Sequence, residues 1–199
     1  MKTMTDAPQS IIDKNEIVNF QTKKYKTIYA DPPWRYGRKW WTGSKKSAFG
    51  SKYNDSPVPM PYEQMSIEEI KDLFPIGIAD SNCELYLWAT QKYLPHAFDV
   101  IKYWGFKYCQ TLTWCKTPMG TGQGGIFTPT TEFLILSRIG YMPKRERIDT
   151  TWWNIKRQNR HSKKPDFFRD MIRDLTDAPR IELFARDRYD GWDCWGNEV

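Results

Sequence analysis

Apolar residues along this chain alternate between short continuous runs and stretches with helical spacing. Short runs rich in β-branched and aromatic side chains predict buried strands. These runs lie at residues 26–30, 84–89, 109–116, 132–137 and 180–184. Helical spacing and start signals predict helices over residues 66–74, 95–104 and 165–175. Because strands and helices alternate, we expect an α/β fold with a mainly parallel sheet and helices on both of its faces.

The predicted helices carry recognisable start and stop signals. Ser66 and Glu69 form a capping-box pattern, in which each side chain satisfies a backbone N–H of the other residue. Pro165 suits the first turn of a helix, because the N–H that it lacks would have no partner there. Gly105 is expected to end the helix before it, and Gly140 the strand before it.

Three stretches lack a clear apolar period. Residues 1–24 are expected to form a partly ordered arm before a single domain at residues 25–199. Residues 35–62 and 141–163 mix aromatic and cationic side chains, which can stack on bases and neutralise phosphates. Both are therefore candidate substrate loops. Alternatively, the first folds its aromatic rings inward and the second is an ordinary solvated surface.

Two shorter segments complete the pattern. The glycine-rich run at residues 119–125 matches neither a phosphate-binding loop nor the dinucleotide fingerprint, so we expect only a mobile loop near the site. Residues 192–197 are short and aromatic and are expected to form a closing turn.

Composition adds charge to this picture. The chain has 30 Lys and Arg against 24 Asp and Glu, a formal net charge of +6 and 10 Trp. A basic surface favours a polyanionic partner such as a nucleic acid, although a basic protein without such a partner fits the charge alone. No apolar run is long enough to span a bilayer, and no apolar leader opens the chain. We therefore expect a cytoplasmic protein with reduced cysteines, no membrane contact and no metal site.

The segment Asp31-Pro32-Pro33-Trp34 follows the first predicted strand directly. Open α/β sheets bind their ligands where strands end, so this segment is the first candidate site. The prolines remove two N–H donors and leave the Asp31 carboxylate and the Pro32 carbonyl as acceptors. The indole of Trp34 offers a flat apolar face beside them. Such a site suits an aromatic ring with an exocyclic amine, although a rigid turn with a packed Trp is the alternative.

The four residues resemble the Asp-Pro-Pro-Trp motif of the N6-adenine methyltransferases related to the catalytic subunit of the eukaryotic messenger-RNA adenosine methyltransferase. Two later blocks strengthen the resemblance. Lys164-Pro165 is similar to the family's Lys-Pro pair at the start of a helix, and residues 182–186 are similar to its Glu-Leu-Phe-Gly/Ala-Arg block at a strand end. Trp192 and Gly196-Asn197 also match, so the similarity spans about residues 25–197.

The resemblance implies a Rossmann-like, S-adenosylmethionine-dependent methyltransferase with a permuted motif order, in which the catalytic motif precedes the cofactor motifs. The implied reaction is methyl transfer to the N6 amine of adenine. The implied catalytic residues are Asp31, Pro32, Pro33 and Trp34. The implied cofactor-binding residues are Asp31, Ser162, Lys164, Pro165, Glu182, Leu183, Phe184, Ala185, Arg186 and Asn197. The expected substrate contacts are Arg35, Tyr36, Tyr53, Lys116 and Glu132.

Two departures from the family bear on these expectations. Thr131 precedes Glu132 where relatives often carry His or Asn, and Glu198 follows Asn197 where relatives have Gln. The compact length is typical of bacterial or phage members, so we expect DNA ahead of RNA as the partner, with a homodimer or a partner subunit as further options. One alternative is an RNA N6-adenosine methyltransferase. Another is a catalytically weak nucleic-acid-binding subunit, although such subunits commonly lose motif residues that are intact here.

Overall fold

A seven-stranded sheet forms the centre of the part of the chain that the structure describes. The structure is a computed structural model that describes residues 23–36, 63–73, 75–116, 127–157 and 163–199. The strands are β1 (Tyr25–Ala30), β2 (Ala79–Thr90), β3 (Lys107–Lys116), β4 (Thr131–Ile139), β5 (Trp152–Ile155), β6 (Arg180–Leu183) and β7 (Asp193–Trp195). Their order across the sheet is β5-β3-β4-β2-β1-β6-β7.

The sheet is mixed but mostly parallel. β1 is parallel to β2 and β6, β3 is parallel to β5, and β6 is parallel to β7. Only β4, among the described strands, runs antiparallel to its neighbours β2 and β3. The end of β1 at Ala30, the end of β2 at Thr90 and the start of β4 at Thr131 therefore lie at one edge, which we call the carboxyl edge.

Three of the four described helices lie at predicted positions, and the short helix at Pro75–Ile78 was not predicted. The four helices are α1 (Ile67–Asp72), α2 (Pro75–Ile78), α3 (Leu94–Tyr103) and α4 (Asp166–Leu175). The capping box is confirmed, because the N–H of Ser66 donates to Glu69 Oε2 at 2.6 Å and the N–H of Glu69 donates to Ser66 Oγ at 3.2 Å. Gly105, with φ of 77°, follows α3 in the left-handed conformation that favours glycine.

Helices pack on both faces of the sheet, as predicted. On one face, Ile70 of α1 and Val100 of α3 belong to a core cluster with Ile28. On the other face, Phe168 and Ile172 of α4 belong to a cluster with Tyr29, Trp88 and Trp114. Successive side chains of β1 and β2 point to opposite faces and enter both clusters. These central strands are apolar on both sides because helices cover both faces of the sheet.

Two short strands were not predicted from the sequence. β5 lies within residues 141–163, which were predicted to be a loop, and β7 lies within residues 192–197, which were predicted to be a turn. Both are outermost strands of the described sheet, with one neighbour each, β3 and β6. A strand of three or four residues has too few positions to show an alternating pattern, so its pairing with the neighbour defines it. β2 also begins earlier than predicted, at Ala79.

Several sequence predictions lie outside the described residues. They are residues 1–22 of the arm, residues 37–62 of the first candidate substrate loop, the glycine-rich run at residues 119–125, and residues 158–162 of the second loop. None of the described helices is long and apolar enough to cross a membrane. The division into an arm and a single domain remains a prediction.

Candidate active site

Four charged side chains of alternating sign form a row at the carboxyl edge. Asp31 follows β1, Lys164 precedes α4, Glu132 lies near the start of β4, and Lys116 ends β3. Lys164 Nζ donates to Asp31 Oδ2 at 2.7 Å and lies 3.4 Å from Glu132 Oε2. Lys116 forms an ion pair with the other Glu132 oxygen, Oε1. This charged row joins a predicted catalytic residue, a predicted cofactor-binding residue and two predicted substrate contacts.

The charges of the row shift one another's protonation. Burial lowers the pKa of Lys164, but the carboxylates of Asp31 and Glu132 outweigh it and hold this pKa above its ordinary range. Burial raises the pKa of Glu132, but Lys164 and Lys116 together bring it below its ordinary value. For Asp31, burial outweighs the opposing effect of Lys164, so its pKa is raised. The raised pKa of Lys164 keeps this side chain charged, whereas the raised pKa of Asp31 favours its protonated form.

A pocket opens beside the charged row. It encloses about 280 Å³ of empty space, part of which is open to solvent. Its walls include Asp31, Pro32, Trp34, Tyr36, Trp88, Ala89, Thr90, Glu132 and Lys164. The pocket thus combines charged residues with aromatic ones, and it includes Asp31, Pro32 and Trp34 of the strand-end motif.

Trp34 forms a wall of this pocket but is almost completely covered. Only 3% of the residue is exposed, and its ring stacks on Tyr93 with centroids 5.0 Å apart and planes 14° apart. Its Nε1–H donates to the carbonyl of Trp88 at 3.2 Å. The sequence predicted an open face for stacking, whereas one face of this indole already has a partner. The geometry therefore makes Trp34 a rigid support of the acceptor group.

The acceptor loop is held by further backbone contacts. The N–H of Trp34 donates to the carbonyl of Pro32 at 2.8 Å, and the N–H of Met65 donates to the carbonyl of Pro33 at 2.8 Å. The hydroxyl of Tyr93 donates to the carbonyl of Arg35. A carbonyl oxygen has two lone pairs, so Pro32 retains the capacity to accept a second hydrogen bond.

The structure separates the two substrate candidates that follow the motif. The hydroxyl of Tyr36 lies 2.7 Å from Thr90 Oγ1, and both residues line the pocket. The guanidinium of Arg35 instead pairs with Glu69 at 3.1 Å, with both side chains about half exposed. Tyr53 lies outside the described residues. The roles of all three residues in substrate binding remain predictions.

The block at residues 182–186 meets the end of β7 through close backbone packing. Phe184 has φ of 63°, which is uncommon for a residue other than glycine and is often found at functional sites. The N–H of Ala185 donates to the carbonyl of Trp195 at 2.9 Å. A Cβ on Gly196 would lie 2.3 Å from the carbonyl oxygen of Ala185, so only glycine fits there.

The side chains of this block make ion pairs of their own. Arg186 Nε lies 3.5 Å from Glu198 Oε1. The carboxylate of Glu182 accepts two hydrogen bonds from Arg169, at 2.6 and 2.9 Å. Ser162 lies outside the described residues. The predicted cofactor contacts of the C-terminal block remain predictions, and the carboxylate of Glu182 already has a partner.

Sequence reasoning missed several residues that build this site. Trp88 and Thr90 could have been found, because they stand at the end of a predicted strand, where α/β sheets place ligand contacts. Tyr93 and Arg169 had no such signal. Their roles depend on contacts with residues 59 and 13 positions away, Trp34 and Glu182.

The fold is an α/β domain with a mostly parallel sheet, and its pocket at the carboxyl edge contains a carboxylate at a strand end. The family model described as MT-A70 matches residues 25–198 of the chain. The protein therefore belongs to the MT-A70 family of N6-adenine methyltransferases, which confirms the resemblance seen in the sequence motifs.

Two curated proteins illustrate this relationship. The chain is 30% identical over 184 residues to the Type II methyltransferase M.MunI of Mycoplasma sp., and the match covers 89% of this chain and 78% of that protein. It is 25% identical over 185 residues to the N(6)-adenosine-methyltransferase MT-A70-like protein of Drosophila melanogaster. The second match covers 88% of this chain but only 27% of the longer relative.

Proposed function

We propose that this protein transfers the methyl group of S-adenosylmethionine to the N6 amine of adenine in DNA. The observation that carries this proposal is that Asp31 and Pro32, whose carboxylate and carbonyl oxygens are hydrogen-bond acceptors, both line the pocket. Lys164, held 2.7 Å from Asp31, supports an ionised carboxylate in that position. An amine with two N–H groups is the ligand that such a pair of acceptors suits.

The residues present fit S-adenosylmethionine, which family members use as methyl donor. When bound, this cofactor supplies an electrophilic methyl group on a sulfonium. Lys164 would hold the carboxylate of its methionine end, and Asp31 would contact the methionine amine. Gly196 lets the chain before Asn197 pack directly on the backbone of Ala185 and Phe184. Arg186 and Asn197 would then line the adenosine and ribose.

The strand order supports a permuted arrangement of the motifs. The catalytic motif follows β1, and the C-terminal block follows β6, near the other end of the chain. β1 and β6 are parallel neighbours, with Tyr29 opposite Glu182 and Ala30 opposite Leu183. The two motifs therefore leave the sheet side by side. Such neighbours can hold a base and a methyl donor close together, and proximity of this kind can supply several kcal/mol of the barrier reduction.

Asp31 acts in this proposal by accepting a hydrogen bond from the adenine amine. The lone pair of that amine is delocalised into the ring, so the free amine is a weak nucleophile. Acceptors at Asp31 and Pro32 favour rehybridisation of the nitrogen and stabilise the positive charge that develops on it. Asp31 acts as a placed acceptor rather than a full general base. The thioether of the donor is the leaving group, and the amine proton that is lost after methyl transfer passes to solvent. Tyr36 forms an aromatic wall that orients the base, and Trp34 supports the acceptor group.

DNA is the favoured substrate because the chain covers most of the Type II methyltransferase that it matches at 30% identity. RNA is the second candidate, since the Drosophila relative is named an N(6)-adenosine-methyltransferase. A base within a duplex would have to be flipped out of the stack to reach the pocket, at a cost of a few kcal/mol. The ion pair between Asp31 and Lys164 favours an active enzyme over a weak partner subunit.

A methyl-transfer assay on matched DNA and RNA oligonucleotides tests the proposal. The purified protein is incubated with labelled S-adenosylmethionine and each oligonucleotide, single-stranded and duplex, and the nucleosides are separated by mass spectrometry. We expect N6-methyladenine in DNA. Label in RNA alone would assign the second candidate, and label on cytosine or on no base would contradict the proposal. Single and duplex forms distinguish the strandedness of the substrate.

A further inference from the structure

A second buried ion-pair cluster joins α4 to β6, and its two central residues are not among those that line the pocket. Its centre is Arg169 of α4, whose Nε and NH2 donate to the two carboxylate oxygens of Glu182 on β6 at 2.6 and 2.9 Å. The side chains of Arg169 and Glu182 are only 8% and 6% exposed. Arg169 also lies over the ring of Tyr189, 3.5 Å from its centroid. A bidentate, buried and stacked guanidinium has little freedom to move.

The same guanidinium reaches the segment that carries Lys164. Arg169 NH1 donates to Asp166 Oδ1 at 3.1 Å, and Asp166 is the first residue of α4. The hydroxyl of Tyr189 donates to the same oxygen at 3.1 Å. Lys163 Nζ lies 3.4 Å from this oxygen as well. Arg169 therefore ties the turn at residues 163–166 to β6, only two residues beyond Lys164.

Glu182 on β6 lies next to β1, the strand that ends just before Asp31. Glu182 pairs with Tyr29 across the parallel strands, two residues before Asp31. Tyr29 accepts a hydrogen bond of 2.6 Å from Trp88 Nε1, and Lys164 Nζ lies 5.5 Å above the ring of Trp88. Neighbouring residues therefore connect Glu182 on β6 with Lys164. The connection passes through Tyr29 on β1 and Trp88 on β2.

We infer that Arg169 is a positioning residue for methyl transfer, and that it fixes Lys164 against Asp31 by anchoring the start of α4 to Glu182. The inference rests on the proposed function. It also changes the role of Glu182, which the resemblance placed among cofactor contacts. Both oxygens of Glu182 bind Arg169, so a direct contact with the cofactor would require this bidentate pair to break. Glu182 acts through Arg169 instead.

Arg169→Lys tests the inference, because it keeps the charge but loses the planar fork that binds Glu182 and Asp166 together. Arg173→Lys is the matched control, since Arg173 stands one turn further along α4 with a side chain that is 40% exposed and pairs with Asp170 and Asp174. The first readout is the titration of the Asp31 carboxyl by NMR. Lys164, Glu132 and Arg186 all influence this titration.

In Arg169→Lys we expect Asp31 to titrate at a higher pH than in the wild type, because a displaced Lys164 no longer favours the charged form. We expect kcat to fall at least tenfold while KM for the oligonucleotide changes less than twofold. Arg173→Lys should match the wild type in both measurements. An unchanged Asp31 titration in folded Arg169→Lys would overturn the inference. A raised KM with unchanged kcat would overturn it too, since Arg169 would then contact the nucleic acid.

A second variant covers the case in which Arg169→Lys does not fold. The double substitution of Arg169→Met with Glu182→Leu replaces the buried pair by apolar side chains, a change that proteins often tolerate. It removes the tie to Asp166, so the same rise in the Asp31 titration is expected, and wild-type titration would reject the role. Failure of the proposed function would be visible separately, as absence of methyl transfer by the wild type.

Discussion

The ion pair between Asp31 and Lys164 is the residue-scale feature on which the proposed chemistry depends. Asp31→Asn keeps the shape of the side chain but replaces one acceptor oxygen by a donor and removes the charge. We expect methyl transfer to fall by about 100-fold or more, a size typical for removal of one placed electrostatic interaction. Initial rates with the DNA oligonucleotide check this prediction.

Asp99→Asn is the control for that substitution, because Asp99 is an exposed carboxylate on α3. Its rate should equal that of the wild type. Thermal unfolding of both variants shows whether the fold is retained. A rate within threefold of the wild type for folded Asp31→Asn would contradict the assignment of Asp31.

The charged row also predicts the direction in which the pH dependence of activity changes when one of its members is replaced. Burial raises the pKa of Asp31 above its ordinary value of 3.8, Lys164 lowers it, and Glu132 raises it. Since the role proposed for Asp31 requires an ionised carboxylate, kcat/KM should decline on the acid side through this raised pKa. Glu132→Gln should move the acid limb to lower pH, and Lys164→Met should move it to higher pH. The pH profiles of kcat/KM measure both shifts. A shift of the acid limb in the same direction for both variants would contradict the predicted influence of the row on Asp31.

At the scale of elements, the acceptor loop depends on the turn between β2 and α3. Tyr93, which lies in this turn, stacks on Trp34 and donates its hydroxyl to the carbonyl of Arg35. Tyr93→Ala should destabilise the protein by about 3–5 kcal/mol, the range for removal of a buried aromatic side chain. Tyr93→Phe keeps the stack and should cost about 1 kcal/mol for the missing hydrogen bond. Denaturant unfolding measures both values, and equal costs would show that the stack contributes little.

β5 supports the prediction that residues 141–163 contact the substrate. Trp152 is 59% exposed on this strand, and Lys156 and Arg157 are exposed just beyond its end. β5 pairs Ile155 with Lys116, so these cations leave the sheet one strand away from the charged row. The site and a run of positive charge are therefore neighbours at the carboxyl edge, as a phosphate backbone next to a bound base requires.

Salt dependence of DNA binding tests this surface. The double substitution of Lys156→Ala with Arg157→Ala should reduce the slope of log affinity against log salt by about 1.8, or about 0.9 for each phosphate that is no longer neutralised. Lys107→Ala removes an exposed cation at the opposite end of β3 and serves as the control. Fluorescence anisotropy at several salt concentrations gives the slopes. Equal slopes for all three proteins would assign these cations to a solvated surface.

At the scale of the whole molecule, the end of β1 and the start of α4 bring together residues that are distant in the chain. Asp31 and Lys164 are 133 positions apart, yet their charged atoms are 2.7 Å apart. A ligand that binds both motifs should therefore stabilise the entire fold. At S-adenosylmethionine concentrations of about 100 times Kd, we expect about 2.7 kcal/mol of added stability, seen as a raised Tm.

Lys164→Met should lose most of this thermal shift, because it removes the proposed contact with the methionine end. Lys107→Ala should keep the full shift. Calorimetric titration gives the Kd needed to set the ligand concentration. The same shift in Lys164→Met as in the wild type would place the methionine end elsewhere.

Much of the fold was predictable from the sequence because its signals are local. The apolar runs of β1 and β2, the capping box at Ser66 and the stop at Gly105 each depend on residues within a few positions of one another. The motif at Asp31 was predictable for the same reason, since a strand end, two prolines and an indole stand in one short segment. Family membership followed from three such segments in order.

The sequence by itself thus determined the alternation of strands and helices, the α/β class and the strand-end acceptor group. Tertiary structure alone decided the antiparallel direction of β4, the short outermost strands β5 and β7, and the covered state of Trp34. It also decided the charged row and the pair of Arg169 with Glu182. Local patterns reflect hydrogen bonding and burial within one element, whereas strand direction and ion pairs depend on which elements become neighbours.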